Sequence, residues 1–434
     1  MSSPMIDTAR VEDVLDQHLR GQVPGAALAL THAGEPLFTR CFGLADLARR
    51  QPVQPTTVFR LASVTKPFTA LVIMLLERDG LLDVDAPIRD YLPGYPAHAA
   101  RVTVRHLLTH TSGIPNYIAQ PSYAEIISDS RRTDADLLAC FADRELDFEP
   151  GSRYGYSNSG YRLLDMIAEH VTGTPFGAIL AERVFTPAKM HHSYLVNHTS
   201  TTTDHARGYI GDSDNFSEAA YFNIALTGGA GRIGSTLADL LRFDRALRTE
   251  SIADADLQCR LFSPVQLTTG RREGYGLGWR LGTYRGHRLI YHGGGIPGYT
   301  SLYVRLPDDD LGIVLLTNLG RFPCTNFARR LIDAALDQPP VLRCAIPLPQ
   351  STVDARAGVY ADTDYRLDIT AESGLLIVSF LGRRHRMAPV DQTTYVAQDD
   401  PDITLTFHDG GPERACTLNY PLWWCTVYRL TQVR

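Results

Sequence analysis

The chain has 434 residues, of which 44% are hydrophobic and 21% are charged, with 35 glycines and 26 prolines. This composition is typical of globular proteins, and the length exceeds what one hydrophobic core usually serves, so we expect one large domain and one smaller one. The formal net charge is −6 and the basic residues are scattered, which argues against nucleic acid or an anionic membrane as a partner. The longest apolar runs are far below the roughly 18 residues that span a bilayer.

The first 21 residues are typical of an amphipathic helix. They lack the basic stretch and apolar core of a secretory signal. The seven cysteines are widely spaced and form no C-x-x-C pair, which argues against redox or zinc chemistry. We therefore expect a reduced, cytoplasmic setting.

Two alternating runs, 25–34 and 35–45, predict a β-hairpin near the start of the chain. Residues 67–79 are apolar almost all round and stop at Gly80, which predicts a helix buried on most faces. Late in the chain, the alternating runs on either side of 307–310 predict a second hairpin, and a helix follows it.

The stretch between these hairpins, residues 83–250, is mainly helical and loop-rich. It predicts a helical insertion between two parts of one antiparallel sheet, so the expected fold class is α+β.

Prolines 339, 340, 347 and 349 mark a linker. We therefore predict a first domain over 1–338, a linker over 339–349 and a second domain over 350–434. The short alternating runs of the second domain, separated by Gly, Pro and Asp, predict a small meandering β-barrel. Its adjacent Trp423 and Trp424 are expected to pack one in the core and one outside.

The chemistry is suggested first by Ser63-Val-Thr-Lys66, which lies at the start of the predicted buried helix. The spacing puts Ser63 and Lys66 one helical turn apart on one face. A serine hydroxyl needs a nearby base to attack a carbonyl, and a buried lysine with a lowered pKa can be that base. Taken alone, this tetrapeptide is also compatible with a capping serine and a surface lysine.

Two further motifs follow in order: Tyr156-Ser157-Asn158, expected on a loop, and His292-Gly293-Gly294-Gly295, expected just before a strand. With these three motifs, the sequence resembles the serine β-lactamase and penicillin-binding-protein superfamily. The resemblance is to the branch with class C β-lactamases, D-aminopeptidases and related carboxylesterases. It covers most of residues 10–338 and includes LLTHTSGI at 107–114, PGSRYGYSNSGYRLL at 150–164 and YGLGW at 275–279.

The resemblance implies a role for each motif. Ser63 would form an acyl-enzyme, Lys66 would take its proton, and Tyr156 would relay a proton to the leaving group. Asn158 would position Lys66 and the substrate amide.

At the third motif, His292 would complete the catalytic set, and the backbone N–H groups of Ser63 and Gly295 would form the oxyanion hole. The glycine run, including Gly294, would allow substrate to approach a strand edge. The small second domain resembles the lipocalin-like barrels of this branch.

One departure concerns the third motif, where β-lactamases and cell-wall transpeptidases of this superfamily usually carry Lys-Thr-Gly. The replacement of that lysine by a mostly neutral His292 argues against efficient penicillin hydrolysis and favours peptides, amides or esters.

The sequence leaves three functions open. The first is a D-stereospecific peptidase, amidase or esterase acting on a small-molecule or peptide substrate. The second is a penicillin-binding-protein-type thioesterase that cyclises nonribosomal peptides, with a peptidyl carrier protein as partner. The third is a non-catalytic ligand sensor, which the intact motif set argues against.

Other signals favour structural roles. Residues 229–234 match G-x-G-x-x-G and follow a stretch that is compatible with a short strand, but they lack the repeating strand–helix pattern of a dinucleotide site. His106 and His110 are four apart, yet no H-E-x-x-H pattern accompanies them. The chain contains no G-x-S-x-G pentapeptide. We expect neither a metal nor a cofactor.

Overall fold

A computed structural model of the chain describes residues 8–18, 24–197, 204–212, 215–336, 344–361, 366–380, 383–408, 414–420 and 426–433. The larger of two compact units contains Thr8–Leu281 and Gly286–Ala328, and the smaller contains Gly282–Arg285 and the described residues from Arg329 onward. Part of the expected linker and both Trp423 and Trp424 lie outside the described residues. The domain limits at 338 and 350 therefore stay predictions.

The α-helices of the described residues follow the chain from its start into the smaller unit. They are α1 (Thr8–His18), α2 (Thr65–Arg78), α3 (Ile88–Tyr91), α4 (Val104–Leu108), α5 (Tyr123–Ser128), α6 (Asp134–Ala139), α7 (Asn158–Thr172), α8 (Phe176–Leu180), α9 (Leu237–Arg248), α10 (Ala255–Leu261), α11 (Cys324–Ala335) and α12 (Gln350–Asp354). In this part of the chain, none of the helices is both long and apolar enough to cross a membrane.

The strands before the barrel are β1 (Ala26–His32), β2 (Glu35–Phe42), β3 (Leu44–Asp46), β4 (Gln51–Pro52), β5 (Phe59–Arg60), β6 (Tyr194–Leu195), β7 (Tyr209–Asp212), β8 (Asn215–Glu218), β9 (Ile233–Ser235), β10 (Arg280–Tyr284), β11 (His287–Ile296), β12 (Tyr299–Leu306) and β13 (Leu311–Thr317). The main sheet of the described residues has the order β10-β11-β12-β13-β1-β2. Within it, Ala29 of β1 lies opposite Thr39 on one side and Val314 on the other. Both predicted hairpins are confirmed, and the helical insertion between the two parts of one sheet is confirmed with them.

Helix α2 is the central helix of the larger unit, and its sequence explains why. Every residue from Thr65 to Leu76 is buried, as a segment that is apolar all round requires. The ring of Phe68 stacks on that of Phe243 with centroids 4.1 Å apart. The predicted buried helix is confirmed. Its packed position holds Lys66 at its first turn in place.

The smaller unit contains a closed barrel of strands β14 (Gly358–Ala361), β15 (Arg366–Glu372), β16 (Leu375–Phe380), β17 (Arg383–Pro389), β18 (Thr394–Ala397), β19 (Thr404–His408), β20 (Ala415–Tyr420) and β21 (Thr426–Gln432). Each strand pairs antiparallel with the next, and β14 closes the barrel on β21. Side chains such as Tyr360, Tyr395 and Phe407 belong to its hydrophobic core. The predicted meandering barrel is confirmed.

Two local expectations are wrong, and so is one alternative that the sequence left open. His292 does not precede a strand but lies inside β11, because β12 continues to pair with the glycine run. Asn158 is not in a loop but begins α7, with Ser157 extended before it. The segment before Gly229 is not a strand, since Ile224–Ala230 forms 3-10 turns.

Candidate active site

Ser63 lies in a short 3-10 turn that leads directly into α2. The preceding Ala62 has φ 48°, in the left-handed region, which costs roughly 1–2 kcal/mol for a residue with a Cβ atom. The turn is held from outside, because the Ser301 hydroxyl donates to the Leu61 carbonyl at 2.6 Å. Of residues 61–70, only Ser63 is not buried. The fold therefore keeps this one side chain accessible.

Lys66 is fully buried one turn after Ser63 and makes three polar contacts. Its Nζ lies 3.0 Å from Ser63 Oγ, 2.8 Å from Asn158 Oδ1 and 2.9 Å from the Ala230 carbonyl oxygen. Burial lowers the pKa of Lys66 well below its usual value, and the positive charge of Arg280 lowers it further. These two causes favour the neutral amine.

The three contacts fix which way a neutral Lys66 amine points. A neutral amine has two N–H donors and one lone pair. The oxygens of Asn158 Oδ1 and Ala230 can only accept hydrogen bonds, so they take the two N–H groups. The lone pair is left for the third neighbour, the Ser63 hydroxyl, which can donate to it. The arrangement allows a neutral amine to accept the proton of the hydroxyl.

Asn158 is itself held in place by a second asparagine that the sequence did not single out. The backbone N–H and the Nδ2 of Asn158 both approach Asn116 Oδ1, at 3.2 and 3.4 Å. Asn116 Nδ2 in turn donates to the Tyr156 carbonyl at 3.2 Å. Because Asn158 Nδ2 is directed at Asn116, its Oδ1 is left to face Lys66.

Tyr156 places its phenol beside the same hydroxyl. Burial raises the pKa of Tyr156 above its usual value, while Arg280 and a hydrogen bond with Ser63 act in the opposite direction. Its ring lies under two cationic side chains, with Lys66 Nζ 4.9 Å and Arg280 Cζ 5.2 Å from the centroid. The phenol therefore keeps its proton near neutral pH and is available as an acid.

Two histidines are joined through one tyrosine in a chain of hydrogen bonds. The Ser157 backbone N–H donates to His110 Nδ1 at 3.1 Å, so the proton of His110 is on Nε2, which lies 3.1 Å from the Tyr275 hydroxyl. That hydroxyl lies 3.1 Å from His292 Nε2. His292 Nδ1 lies 2.8 Å from the Gly293 carbonyl, which can only accept. The backbone thus sets the proton position on each ring. His110 Nε2–H donates to the Tyr275 hydroxyl, and that hydroxyl donates to His292 Nε2.

This pattern of hydrogen bonds matches two neutral histidines. Burial lowers the pKa values of His110 and His292 well below the usual value, and the charges of Lys66 and Arg280 lower them further. A second proton on His110 would place its Nδ1–H against the Ser157 N–H, and one on His292 would remove the acceptor of the Tyr275 hydroxyl proton. The position that usually carries a lysine in the third motif is therefore uncharged here.

His292 is close to the other candidate residues without bonding to them. Its ring centroid is 6.4 Å from that of Tyr156, and its two nitrogens are directed at Tyr275 and the Gly293 carbonyl. Among the described residues, it makes no hydrogen bond with Ser63 or Lys66. His292 therefore lines the site as an uncharged side chain.

The glycine run brings β11 against the Ser63 turn. A Cβ atom on Gly294 would lie 2.2 Å from the Leu61 carbonyl oxygen, 2.4 Å from Ser301 Oγ and 3.0 Å from the Ser63 nitrogen. Glycine is therefore required at 294 for the two backbones to meet. Gly295 is exposed, with open space where its side chain would be.

Arg280 supplies a permanent positive charge and was not predicted. It begins β10, and its Cζ lies over the rings of Tyr156 and Tyr275 at 5.2 and 5.8 Å from their centroids. Guanidinium groups stack in this way on aromatic faces. The charge lowers the pKa values of Lys66 and Tyr156.

The structure thus brings together Ser63, Lys66, Tyr156, Asn158 and the 292–295 run, and adds residues that sequence reasoning missed. Some of the added residues lie within or beside the sequence segments that carry the family resemblance. His110 lies in LLTHTSGI, Tyr275 begins YGLGW and Arg280 follows it directly. Asn116 and Ala230 had no such signal.

A metal site formed by His106 and His110 does not fit the geometry. Helix α4 ends at Leu108, and His110 beyond it has φ 59°, so it does not share a helix face with His106. The His106 ring instead accepts from the Thr103 N–H, which caps the helix. Across the described ranges, no group of three or more His, Cys, Asp or Glu side chains could hold a metal ion.

The sequence of the chain is similar to a family model and to several known proteins. A family model described as Beta-lactamase matches residues 10–337. The chain is 34% identical to penicillin-binding protein 4* of Bacillus subtilis (strain 168) over 330 residues, which are 72% of each chain. It is 30% identical to the D-aminopeptidase of Gluconobacter oxydans (strain 621H) over 305 residues, 68% of this chain and 56% of that one. The chain thus spans a little over half the length of that D-aminopeptidase.

Among solved structures, the chain is similar to the D-amino acid amidase from Ochrobactrum anthropi SV3 complexed with L-phenylalanine amide. The TM-score is 0.66 and the identity 29%, over 76% of this chain and 99% of that one. The sequence matches, the shared fold and the arrangement of the motif residues agree with one another. The chain therefore belongs to the beta-lactamase family and is a serine hydrolase of that superfamily.

Proposed function

We propose that the protein hydrolyses D-configured peptide, amide or ester substrates through an acyl-enzyme on Ser63. The observation that carries the proposal is the buried Lys66, whose three contacts leave its lone pair for the Ser63 hydroxyl. The preference for the D configuration is supported by relatives that are named D-aminopeptidase and D-amino acid amidase.

In the proposed acylation, Ser63 gives its proton to Lys66 while its Oγ bonds to the substrate carbonyl carbon. The carbonyl π electrons move to the oxygen, where the N–H groups of Ser63 and Gly295 stabilise the negative charge. The bond to the leaving group then breaks. Tyr156 protonates the leaving nitrogen or oxygen, and the proton on Lys66 passes back to restore the phenol.

Deacylation follows the reverse order with water as the nucleophile. Water loses a proton to the Lys66 and Tyr156 pair and attacks the acyl carbon, and the Ser63 oxygen leaves with that proton. Asn158 acts by holding the Lys66 amine, and Gly294 acts by allowing β11 to lie against the Ser63 turn. His292 lines the site as an uncharged side chain beside Tyr156.

The neutral His292 supports peptides, amides and esters as substrates, because the position lacks the lysine charge typical of β-lactamases. Arg280 supplies a positive charge on the neighbouring strand instead. We therefore expect penicillins to be poor substrates in comparison with D-aminoacyl amides and esters.

The test is turnover of matched D- and L-aminoacyl amides, esters and peptide thioesters by wild type and Ser63→Ala. Hydrolysis of the D series that falls at least about a thousandfold in the variant would support the proposal. Equal activity on both series would refute the D preference alone. Cyclic products from the thioesters would assign a peptide-cyclising thioesterase instead, and undiminished activity of Ser63→Ala would refute the nucleophile.

A further inference from the structure

The carbonyl that holds Lys66 belongs to a tight loop, Gly228–Ala230. The Ala230 oxygen accepts from Lys66 Nζ at 2.9 Å. The loop interrupts the 3-10 turns before it, because Gly228 has φ 45° and ψ −132°. The position of this carbonyl therefore depends on what holds the loop.

Two buried side chains hold the residue next to that carbonyl. Thr69 Oγ1 donates to the Gly229 carbonyl at 2.7 Å, and the Gly229 N–H donates to Asp165 Oδ2 at 2.8 Å. Both side chains are almost completely buried. The Gly229 peptide groups are thus bonded on both sides, and Ala230 follows directly.

The two side chains come from the same helices as the Lys66 contacts. Thr69 follows Lys66 by three residues on α2, and Asp165 follows Asn158 by seven on α7. Residues at these spacings share a helix face. One pair of contacts therefore joins Lys66 to Asn158 and Ala230, and a second pair, deeper along the same two helices, holds Gly229.

The packing around the loop leaves little room for it to shift. A Cβ atom on Gly228 would lie 2.2 Å from Asp165 Oδ2, and one on Gly229 would lie 2.8 Å from the Tyr161 carbonyl oxygen. Asp165 is anchored in turn by the Arg162 guanidinium, which also bonds Asp134.

From this arrangement we propose that Thr69 and Asp165 are positioning residues for Lys66, acting through the Gly229–Ala230 backbone. The proposal rests on the proposed role of Lys66 as the base for Ser63. When the loop is released, the Ala230 oxygen no longer takes one N–H of the amine. The lone pair then loses its direction toward Ser63, and the ammonium form loses a carbonyl acceptor, which lowers the pKa of Lys66 further.

The other groups that face Lys66 stay unchanged when Thr69 is altered. They are the rings of Tyr156 and Tyr161, the Arg280 charge and the neutral histidines 110 and 292. A shift in the pH dependence of Ser63 reactivity would therefore report the state of the Lys66 amine itself.

The experiment measures the rate at which a fluorophosphonate labels Ser63, from about pH 5 to about pH 10, in wild type, Thr69→Val and Thr69→Ser. Valine keeps the shape of threonine and removes the hydroxyl, whereas serine keeps the hydroxyl. We expect Thr69→Val to be labelled about tenfold more slowly on the pH-independent plateau, because the lone pair of Lys66 is no longer held toward Ser63. The acid limb would move down by up to about one pH unit, and Thr69→Ser would follow wild type in both respects.

An unchanged pH profile in Thr69→Val, with Ser63 still labelled, would overturn the inference and leave the proposed function intact. Failure of wild type to label at Ser63 would instead refute the proposed function. If Thr69→Val does not fold, Asp165→Asn is measured in the same way. The asparagine cannot accept from both Gly229 and Arg162, so we expect the same slower plateau and downward shift of the acid limb, and an unchanged profile would again overturn the inference.

Discussion

Lys66 Nζ and Asn158 Oδ1 lie 2.8 Å apart, although 92 positions separate the two residues in the chain. The amide oxygen accepts a hydrogen bond without adding charge. The contact therefore orients the amine while leaving it free of a proton. A single substitution at Asn158 can therefore disturb both the orientation and the protonation state of Lys66.

Asn158→Asp is predicted to abolish most of the activity near neutral pH. The carboxylate would favour the charged form of Lys66, because an opposite charge at this distance raises a lysine pKa by about 1–3 units. We expect a loss of roughly ten- to a thousandfold in kcat/KM near pH 7 and partial recovery at higher pH. A pH–rate profile like that of wild type would contradict this expectation.

Arg280→Gln is predicted to move the acid limb of kcat/KM to higher pH. The Arg280 charge disfavours protonation of Lys66, so its removal raises the pKa of Lys66, by up to about one unit. Arg280→Lys keeps the charge and serves as the control. The pH–rate profiles of both variants are compared, and identical limbs in Arg280→Gln and Arg280→Lys would count against the electrostatic role.

Tyr275→Phe is predicted to lower stability more than activity. The variant removes the hydroxyl between His110 and His292 and leaves two buried nitrogens without a partner, which costs about 1–3 kcal/mol in the free energy of unfolding. Because Tyr275 contacts neither Ser63 nor Lys66 through its hydroxyl, we expect a loss of kcat/KM below about tenfold. Denaturant unfolding and steady-state kinetics measure the two effects, and a larger loss of activity than of stability would contradict the structural role of this hydroxyl.

The two buried histidines predict a loss of stability at mildly acidic pH. Their folded-state pKa values are depressed, so below about pH 6.5 the unfolded chain binds more protons. Each ring then removes about 1.4 kcal/mol of unfolding free energy per pH unit, down to its folded-state value. Asp165, whose pKa burial raises to about 6, acts in the opposite direction between that value and its ordinary value of about 3.9.

The readout is therefore a difference between variants. We expect His292→Gln to flatten the pH dependence of unfolding free energy between about pH 5 and pH 6.5 by about 1.4 kcal/mol per unit. His170→Gln, which alters an exposed histidine, should leave the slope unchanged. Equal slopes in wild type and His292→Gln, from urea unfolding at several pH values, would show that His292 is not held neutral.

Gly294→Ala and Gly295→Ala form a matched pair. The new methyl group at 294 would meet the Leu61 carbonyl and Ser301 Oγ, whereas at 295 nothing lies within 4 Å. We expect Gly294→Ala to destabilise the protein by about 1–3 kcal/mol and to slow labelling of Ser63, and Gly295→Ala to fold like wild type. Thermal unfolding and probe labelling test both, and equal behaviour of the two variants would contradict the close approach.

The local features of the fold and the site could be predicted from the sequence, because they depend on short-range periodicity. The spacing of Ser63 and Lys66 within one helical turn, the apolar run of α2 and the two hairpins all follow from neighbouring residues. His292 inside β11 did not, because a glycine run usually weakens a strand, and here β12 and the Ser63 turn hold it.

The remaining site residues depend on long-range contacts that no local pattern encodes. His110 was weighed with His106 as a pair on one helix, yet the helix ends between them. Arg280 and Asn116 carry ordinary side chains at positions where only the folded chain brings them to Tyr156 and Asn158. Their roles follow from distances, not from spacing.

The central claim is a covalent acyl-enzyme on Ser63, and rapid-quench mass spectrometry of the intact protein tests it most directly. The protein is mixed with a D-aminoacyl ester, quenched, digested and mapped. We predict a transient mass increase equal to the acyl group, located on Ser63 and absent from Ser63→Ala. Turnover of the ester with no adduct, or with an adduct on another residue, would contradict it.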